Sequence, residues 1–425
     1  MEEMRPEAAF PHARDRDLFN ALVYGVLRRR ARLDHVIARF SKTPLAKIDP
    51  PVLSILRSAV YQFMFMDRIP VSAAVNTAVE TAKALAAPWV AAFVNAVLRR
   101  AAAEHGSVPP PDPARDPLRA LAVGGSLPEW LAERWLGRHG YTTAAELAEA
   151  VNTLPPLTLR ANTLRVDRET LSRALADAGI ATTPTAIAPD GLRAGALPVR
   201  IPEVQAFRDG WFQVQDEAAQ IVSLLLSPRP GETVLDACAG RGGKTAHLAA
   251  LMRNRGAITA VDRSEARLAQ LGAEMQRLGV ETVAAVAADL LDAHAPLPKT
   301  FDRVLLDAPC SGLGTLRRNP DIKWAAEKRD LARYHRLQCE LLERAAGLTR
   351  PGGALVYAVC SPEPEETVDV IRGFLAGRQH FRVDRDAAGL PAAARALLDA
   401  EGFLQTGLQL GYMDAFFAVR LIRNP

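Results

Sequence analysis

Residues 234–245 read VLDACAGRGGKT, and this stretch decides the fold of the C-terminal half of the chain. A short apolar run ends in an acid, a glycine-rich turn follows, and the residues after it have a helical pattern. Glycine lets a backbone approach a ligand closely, and a helix N-terminus offers unpaired N–H groups. The glycine spacing fits neither a triphosphate-binding loop nor GxGxxG. The stretch therefore predicts a strand, a turn and a helix around a nucleotide-like ligand without a triphosphate, rather than a bare tight turn.

The chain around this stretch alternates short β-rich runs with helical segments from about residue 231 onward. AITAVDR (257–263) and RVLLDAP (303–309) are typical of strands, and SEARLAQLGAEMQRLG (264–279) is typical of a helix. Such alternation predicts a parallel sheet with helices on both faces. Ligands of these sheets bind at the carboxyl ends of the strands. Residues 231–425 are therefore expected to form a Rossmann-like α/β domain.

Acids end the strands that follow the glycine-rich turn. Asp262 is placed to accept both hydrogen bonds of a ribose diol, and Asp289 to hold an adenine amino group or the adjacent loop. Asp307 ends the next strand, where it can hydrogen-bond N3 and the exocyclic amine of a cytosine. Each acid alone is a weak signal, since Asp also caps helices, but the succession points to one ligand crevice.

Two of the four cysteines follow strand ends beside that crevice. Cys310 stands in DAPCSG and Cys360 in YAVCS, whereas Cys339 falls within a helical pattern and is expected in the core. No CxxC pair is present, so we expect neither a metal site nor a disulfide framework. A reactive thiolate needs a lowered pKa, and Lys244 is the candidate cation beside it. The residues alone do not say which of the two thiols attacks.

Paired thiols have a specific use in the methylation of a cytosine. Carbon 5 is a poor nucleophile until a thiolate adds to carbon 6 and makes it enamine-like. It then takes a methyl group from a sulfonium, and a base removes the carbon-5 proton so that the thiolate can leave. This is covalent catalysis, in which one difficult step is divided into easier ones.

The N-terminal half divides at a proline-rich breaker. Helical periodicity fills residues 17–103, and HGSVPPPDPARDP (105–117) then contains five prolines. We expect four parts, namely an all-helical bundle (1–104), a Pro-rich linker (105–126), a helical connector with a small α+β module (127–230) and the α/β domain (231–425).

Composition limits where the protein works and what it binds. The chain has 425 residues and a net charge of +4, and residues 1–107 hold 15 Lys and Arg against 10 Asp and Glu. That excess is as compatible with a phosphate-binding face as with an ordinary solvated helical surface. No apolar run approaches the roughly 18 residues of a membrane span, and the charged N-terminus lacks the pattern of a secretory signal. We therefore expect a cytoplasmic protein without a membrane partner.

These motifs resemble the RsmB/Sun (Fmu) family of RNA cytosine-5 methyltransferases over nearly the whole chain. VLDACAGRGGKT is similar to the family's VLDxCAAPGGKT, DAPCSG matches its motif IV, and YAVCSPEPEE is similar to its YxTCSxxxxEE motif VI. RRNPDIKW and WFQVQDEAAQ are similar to its RRxPDIKW and xxVQDEASQ stretches. NTLRVDRETLSRAL resembles its small RNA-recognition-like module, and LVYGVLRRRARLDHVI and FVNAVLRR resemble the NusB-like RNA-binding bundle of this branch.

The resemblance implies a class I methyltransferase that uses S-adenosylmethionine on 16S rRNA, where the family's usual site is cytosine 967. It implies that the cofactor contacts Cys238, Ala239, Gly240, Arg241, Gly242, Gly243 and Lys244. It places the ribose at Asp262, the adenine region at Asp289, and the methionine or the target base at Asp307. It makes Cys360 the nucleophile and gives Cys310 product release, whereas DNA cytosine methyltransferases attack with the Pro-Cys of motif IV. We expect a monomer.

The chain departs from the family pattern at three places. Gly240-Arg241 stands where the family has Ala-Pro, Val359 replaces Thr before the nucleophile, and Ala415 replaces Gly in the final DGFF. No proposed chemical group is lost. Two other readings remain open, a cytosine-5 methyltransferase of another RNA such as tRNA, and a non-catalytic RNA-binding assembly factor.

Overall fold

The computed structural model describes residues 13–85, 88–387, 389–407 and 411–425. They form two compact units, one joining the residues up to Leu154 with Leu316–Lys328, the other containing Pro155–Thr315 and Arg329–Pro425. Most of the charged N-terminus, for which no secretory signal is expected, lies outside these ranges. Within those ranges, no helix combines the length and the apolar character needed to cross a bilayer.

The helices, numbered along the chain, are α1 (Ala13–Phe40), α2 (Pro50–Phe65), α3 (Val71–Leu85), α4 (Pro88–Glu104), α5 (Pro117–Gly124), α6 (Glu129–Ala150), α7 (Arg168–Asp177), α8 (Gln205–Arg208), α9 (Glu217–Leu226), α10 (Gly243–Leu251), α11 (Glu265–Leu278), α12 (Ile322–Ala325), α13 (Lys328–Leu348), α14 (Val368–Gly377) and α15 (Ala392–Arg395). The strands are β1 (Leu157–Ala161), β2 (Thr182–Pro184), β3 (Gly191–Ala194), β4 (Phe212–Val214), β5 (Thr233–Asp236), β6 (Ala257–Asp262), β7 (Val283–Ala287), β8 (Phe301–Asp307), β9 (Thr349–Val359), β10 (Phe381–Val383), β11 (Phe403–Gln405) and β12 (Phe417–Arg423).

The first unit is built on the packing of α1 to α4 around an aliphatic core. Helix α1 buries residues spaced three and four apart, which is the spacing of one helix face. The core includes Leu33, Val36, Ile37, Leu56, Val60, Val94 and Leu98. Helix α2 begins with Pro50 and Pro51, since the first turn of a helix does not need their missing N–H groups.

Helix α5 lies in the stretch that was expected to be a linker. The Asp116 side chain accepts a hydrogen bond of 2.9 Å from Arg119 N, and Pro117 occupies the first helical position. The prolines thus precede and start a helix, which packs against α1 and α6. Helix α6 is broken at Gly140, where φ is +72°, so it consists of two shorter helices. The first compact unit therefore extends to Leu154 rather than ending at residue 104.

A segment from the middle of the predicted α/β domain also belongs to the first unit. Residues Leu316–Lys328 bring the fully buried Lys323 among three oxygen acceptors. Its Nζ donates to Arg28 O at 3.0 Å, Ser126 O at 3.1 Å and Asn152 Oδ1 at 2.9 Å. Burial and the neighbouring arginine charges lower the pKa of Lys323 to about 7. The expected continuous domain over 231–425 is therefore interrupted by residues that pack with the helices.

The second unit contains the small α+β module as a four-stranded antiparallel sheet. The strand order is β2-β3-β1-β4, with α7 contacting β1, β2 and β3. Its core is formed by apolar side chains, among them Leu159, Leu171, Leu175, Leu192 and Phe212. Helix α7 starts where the Asp167 side chain accepts from Thr170 N at 2.7 Å.

The same unit contains a larger sheet in the order β10-β12-β9-β8-β5-β6-β7, with β11 paired to β12. The five strands from β9 to β7 are parallel, as the alternation of strands and helices predicted. Strand β12 is antiparallel to β9, because it follows β11 through a short connection rather than a helical crossover. The chain order reverses at β5, whose neighbours are β6 and β8. A reversal of this kind opens a crevice at the carboxyl ends of the strands.

Candidate active site

The turn after β5 depends on two glycines with positive φ. Gly240 has φ +57° and Gly242 has φ +83°, a region that residues with a Cβ adopt only with strain. A Cβ on Gly242 would lie 2.8 Å from Leu271 and 2.9 Å from Met275 of α11, so no side chain fits there. A Cβ on Gly240 would meet no heavy atom within 4 Å, because this residue borders open space. The turn thus forms a backbone cradle at the start of α10.

A cleft of about 330 Å³ lies against this cradle, within the usual size range of small-molecule sites. Its walls include six of the residues that the sequence singled out at strand ends and in the turn, and three side chains of α13 that it did not. The predicted residues are Cys238, Gly240, Asp262, Asp289, Asp307 and Cys310, and the α13 side chains are Tyr334, Leu337 and Leu341. The apolar α13 wall opposite the acids gives the cleft the mixed character that a nucleoside needs.

The two outer acids are already engaged by backbone. Asp262 accepts from Gly240 N at 2.9 Å and from Ser264 N at 2.8 Å, so it fixes the glycine turn. A carboxylate oxygen has two lone pairs, so these bonds leave capacity for a diol. Asp289 accepts from Leu291 N at 3.0 Å, which is the loop-holding role among the two expected for it. Its contact with an adenine stays a prediction.

Cys310 and Cys360 lie together, with 3.3 Å between their Sγ atoms. They follow the neighbouring parallel strands β8 and β9, and Gly314 N donates to Cys360 O at 2.9 Å. The hydrogen bond with Cys360 and burial raise the pKa of Cys310 well above its ordinary value, so this thiol keeps its proton. Burial likewise raises the pKa of Cys238, which makes that thiol unreactive.

Lys244 forms a partly buried ion pair at the same edge of the sheet. Its Nζ donates to Asp307 Oδ2 at 2.6 Å and lies 5.1 Å from the ring centroid of Phe416. Burial lowers the pKa of Lys244, but Asp307 and the nearby Cys360 raise it by more, and the pKa is raised overall. The ammonium is therefore a fixed positive charge beside the thiol pair.

Arg160 supports the cradle from the small module, and sequence reasoning missed it. The side chain is fully buried, and Nη1 donates to Gly243 O at 3.0 Å and to Gln215 Oε1. Nη2 donates to Gln213 Oε1 at 3.0 Å, and burial lowers the pKa of Arg160 to about 9. The only signal was a charged residue in the middle of an apolar strand, which does not say what it contacts.

Cys339 and Arg241 occupy positions outside this cluster. The Cys339 Sγ lies 3.7 Å from His335 Nε2 on α13 and packs against the core, as expected for a structural thiol. Arg241 is exposed on the turn, so the extra charge that this chain carries there faces solvent. Within the described ranges, no group of three or more His, Cys, Asp and Glu side chains is placed to hold a metal ion.

Family models match three parts of the chain. The model described as 16S rRNA methyltransferase RsmB/F matches residues 223–422, the NusB family model matches 2–103, and the ferredoxin-like domain model of RsmF/B-like methyltransferases matches 127–199.

Relatives and a solved structure match over most of their length. The probable ribosomal RNA small subunit methyltransferase B of Synechocystis is 38% identical over 87% of this chain and 82% of that protein. The ribosomal RNA small subunit methyltransferase B of Pseudomonas syringae is 35% identical over 96% of this chain and 90% of that protein. The crystal structure of PH0851 is 28% identical, with a TM-score of 0.83, and covers 99% of this chain and 95% of that one.

The parallel sheet, the glycine cradle and the strand-end cleft define a Rossmann-like methyltransferase, preceded by a helical bundle and a ferredoxin-like module. The fold class predicted from the sequence is therefore confirmed. The chain belongs to the RsmB/F family of 16S rRNA methyltransferases, and the resemblance read from its motifs is confirmed with it.

Proposed function

We propose that this protein methylates carbon 5 of a cytosine in 16S rRNA, at the family's usual position 967, with S-adenosylmethionine as methyl donor. The observation that carries the proposal is the 3.3 Å contact between Cys310 and Cys360 beside the cleft. The names of the relatives, which act on the small ribosomal subunit, support the RNA substrate.

The cleft has the hydrogen-bond acceptors and the open backbone that the cofactor needs. The open side of Gly240 leaves room for a ligand against the backbone, and Asp262 and Asp289 stand at the ends of β6 and beyond β7 for the ribose and adenine. Residues 238–244, of which Cys238 and Gly240 line the cleft, are proposed to contact S-adenosylmethionine. When bound, S-adenosylmethionine supplies an electrophilic methyl group.

Cys360 attacks and the neighbouring groups stabilise charge. Its Sγ bonds to carbon 6 of the cytosine, and the electron pair of the 5,6 double bond then takes the methyl group at carbon 5. The Asp307 carboxylate accepts a hydrogen bond from the exocyclic amine, and the positive charge of Lys244, which Asp307 holds in place, favours the attacking thiolate.

Cys310 assists release of the product. Removal of the carbon-5 proton restores the double bond and expels the Cys360 thiolate. The Sγ of Cys310 lies 3.3 Å from that of Cys360, so Cys310 is within reach of the group that must leave.

Methyl transfer to unmethylated 16S rRNA tests this proposal. Labelled S-adenosylmethionine is incubated with the RNA and with wild type, Cys360→Ala, Cys310→Ala or Cys339→Ala, the last as a matched control thiol on α13. We expect transfer by wild type and Cys339→Ala, none by Cys360→Ala, and mapping of the label to carbon 5 of cytosine 967. Transfer that survives Cys360→Ala would reject the nucleophile.

The same assay separates the two other readings. Methylation of tRNA in preference to 16S rRNA would favour the other-RNA enzyme, and RNA binding without any transfer would favour the assembly factor. The partly buried Lys244–Asp307 pair and the adjacent thiols support an enzyme, since RNA binding alone does not need a pair of thiols. We propose that the activity takes place in the cytoplasm. We also propose that the protein is a monomer whose bundle (residues 1–104) contributes RNA affinity. Sedimentation velocity checks the oligomeric state.

A further inference from the structure

Each of the two cysteines is followed by a serine, and the two Cys-Ser pairs face one another. Ser311 follows Cys310 and Ser361 follows Cys360, and the two hydroxyl oxygens lie 3.3 Å apart. Both serines are buried. The thiol pair therefore has a polar counterpart one residue further along each loop.

The carboxylate of Glu366 joins these two serines. Ser311 N donates to Oε1 at 2.7 Å, and the hydroxyls of Ser311 and Ser361 both donate to Oε2 at 2.5 Å. Gln338 Nε2 of α13 donates to Oε1 at 3.3 Å and to Pro309 O, just before Cys310, at 2.9 Å. One carboxylate thus receives bonds from both cysteine-bearing loops.

Glu366 itself is held in place and fully removed from water. It ends the short 3-10 turn Pro364–Glu366, and the Tyr357 hydroxyl of β9 donates to its carbonyl oxygen at 2.6 Å. A buried carboxylate is costly unless hydrogen bonds compensate it, and here serine and glutamine donors do so. Such an arrangement is expected where geometry is important, because apolar side chains would fill the same space at less cost.

We propose that Glu366 is a positioning residue for the reaction, whose carboxylate holds the Cys310-Ser311 and Cys360-Ser361 turns together and so sets the separation of the two thiols. The reaction role rests on the proposed function of the thiol pair, whereas the geometric role does not. The charge of Glu366 also contributes to the raised pKa of Cys310, which helps this thiol to keep its proton at rest.

The geometry is tested in the full-length protein without RNA or cofactor. The oxidant diamide takes two electrons and two protons from the thiols, becomes a hydrazine, and leaves a Cys310–Cys360 disulfide whose formation is followed by mass spectrometry. Ser311→Ala/Ser361→Ala removes both hydroxyl tethers and keeps the carboxylate charge. We expect the disulfide to form roughly tenfold more slowly than in wild type. Ser223→Ala is the matched control, since Ser223 is equally buried on α9 and its hydroxyl has no hydrogen-bond partner.

The catalytic consequence is tested with Glu366→Gln, which keeps the shape and removes the charge. We expect kcat to fall ~100-fold while KM for S-adenosylmethionine stays unchanged, because only the reacting thiols are misplaced. Asp369→Asn removes an exposed acid three residues later and should match wild type. A purely structural role would lower the melting temperature without separating kcat from KM.

Each outcome decides the proposal. A folded Ser311→Ala/Ser361→Ala protein that forms the disulfide at the wild-type rate would overturn it, as would wild type that forms no such disulfide. If Glu366→Gln does not fold, the serine variants decide alone. Slower disulfide formation together with methyl transfer by Cys360→Ala would support the positioning role of Glu366 and reject Cys360 as the nucleophile.

Discussion

The Lys244 ammonium donates a hydrogen bond of 2.6 Å to the Asp307 carboxylate, which links the start of α10 to the end of β8. These two elements bear the glycine cradle and the loop of Cys310. The side chains are 12% and 30% exposed, so water screens the pair only in part. The positive charge of Lys244 beside the thiols is therefore held in place by Asp307 at the end of β8, the strand next to β5.

Asp307→Asn should weaken both stability and chemistry. The variant leaves Lys244 without its anionic partner, and we expect the free energy of unfolding to fall by about 2 kcal/mol, the scale of a charge-assisted hydrogen bond. Methyl transfer should fall by at least ~100-fold, since the variant also loses the carboxylate that is proposed to contact the base. Urea unfolding and single-turnover transfer measure the two effects, with Asp369→Asn as control. Unchanged transfer would show that Asp307 has no part in the chemistry.

The two glycines of the cradle should respond differently to alanine. In Gly242→Ala the new Cβ meets Leu271 and Met275 at under 3 Å, and we expect a loss of about 3 kcal/mol with a marked loss of cofactor affinity. Gly240→Ala carries only backbone strain of about 1 kcal/mol, because the space around it is open. Isothermal titration with S-adenosylmethionine and thermal unfolding compare the two variants. Equal losses would contradict the cradle geometry.

The pH dependence of stability should include a term from Asp236, beneath the cradle. Burial raises the pKa of Asp236 to about 7 from an ordinary 3.8, although Thr245 Oγ1 donates to Oδ2 at 2.7 Å. Between these values the folded state holds a proton that the unfolded state has lost, so this contribution falls as pH rises from about 4 to 7. The side chain of Asp236→Asn does not titrate. As the pH rises through this window, the variant's free energy of unfolding should increase relative to wild type by about 2–4 kcal/mol, at about 1.4 kcal/mol per pKa unit. Urea unfolding at several pH values measures this, and a constant difference would refute it.

Lys323→Met should destabilise the first unit. Lys323 donates to three buried oxygens, and removing the donor takes one hydrogen bond from each of Arg28 O, Ser126 O and Asn152 Oδ1. We expect a loss of about 3 kcal/mol in the free energy of unfolding. Lys83→Met, at an exposed i,i+3 pair on α3, should change it by less than about 0.5 kcal/mol. Similar unfolding curves for both variants would mean that the segment is not anchored by Lys323.

The local parts of this architecture could be predicted because each depends on a short stretch of sequence. The strand, turn and helix at 234–245 follow from an apolar run, positive-φ glycines and a helical pattern. The acids and thiols at strand ends follow from the rule that parallel strands share one carboxyl edge. The same rule predicts that Cys310 and Cys360 lie close together, and their Sγ atoms are 3.3 Å apart. Only the resemblance to the family assigns them different roles.

The remaining features depend on contacts between residues far apart in the chain. Arg160 is 83 residues from Gly243, and Lys323 is 295 residues from Arg28. A pattern among neighbouring residues therefore cannot predict either contact. Helix α5 was missed because its prolines suggested a linker, whereas Pro117 starts the helix. Glu366 lay in an acidic run typical of a solvated surface, and only the fold shows that it is buried between two serines.

The covalent attachment of RNA to Cys360 is the most direct test of the central claim. Cys310→Ala protein is incubated with unmethylated 16S rRNA and S-adenosylmethionine, denatured, digested with nuclease and protease, and analysed by mass spectrometry. The account predicts that an adduct accumulates and carries a 5-methylcytidine nucleotide on the peptide containing Cys360. It also predicts that Cys310→Ala/Cys360→Ala forms none. An adduct on any other residue, or turnover by Cys310→Ala at the wild-type rate with no adduct, would contradict it.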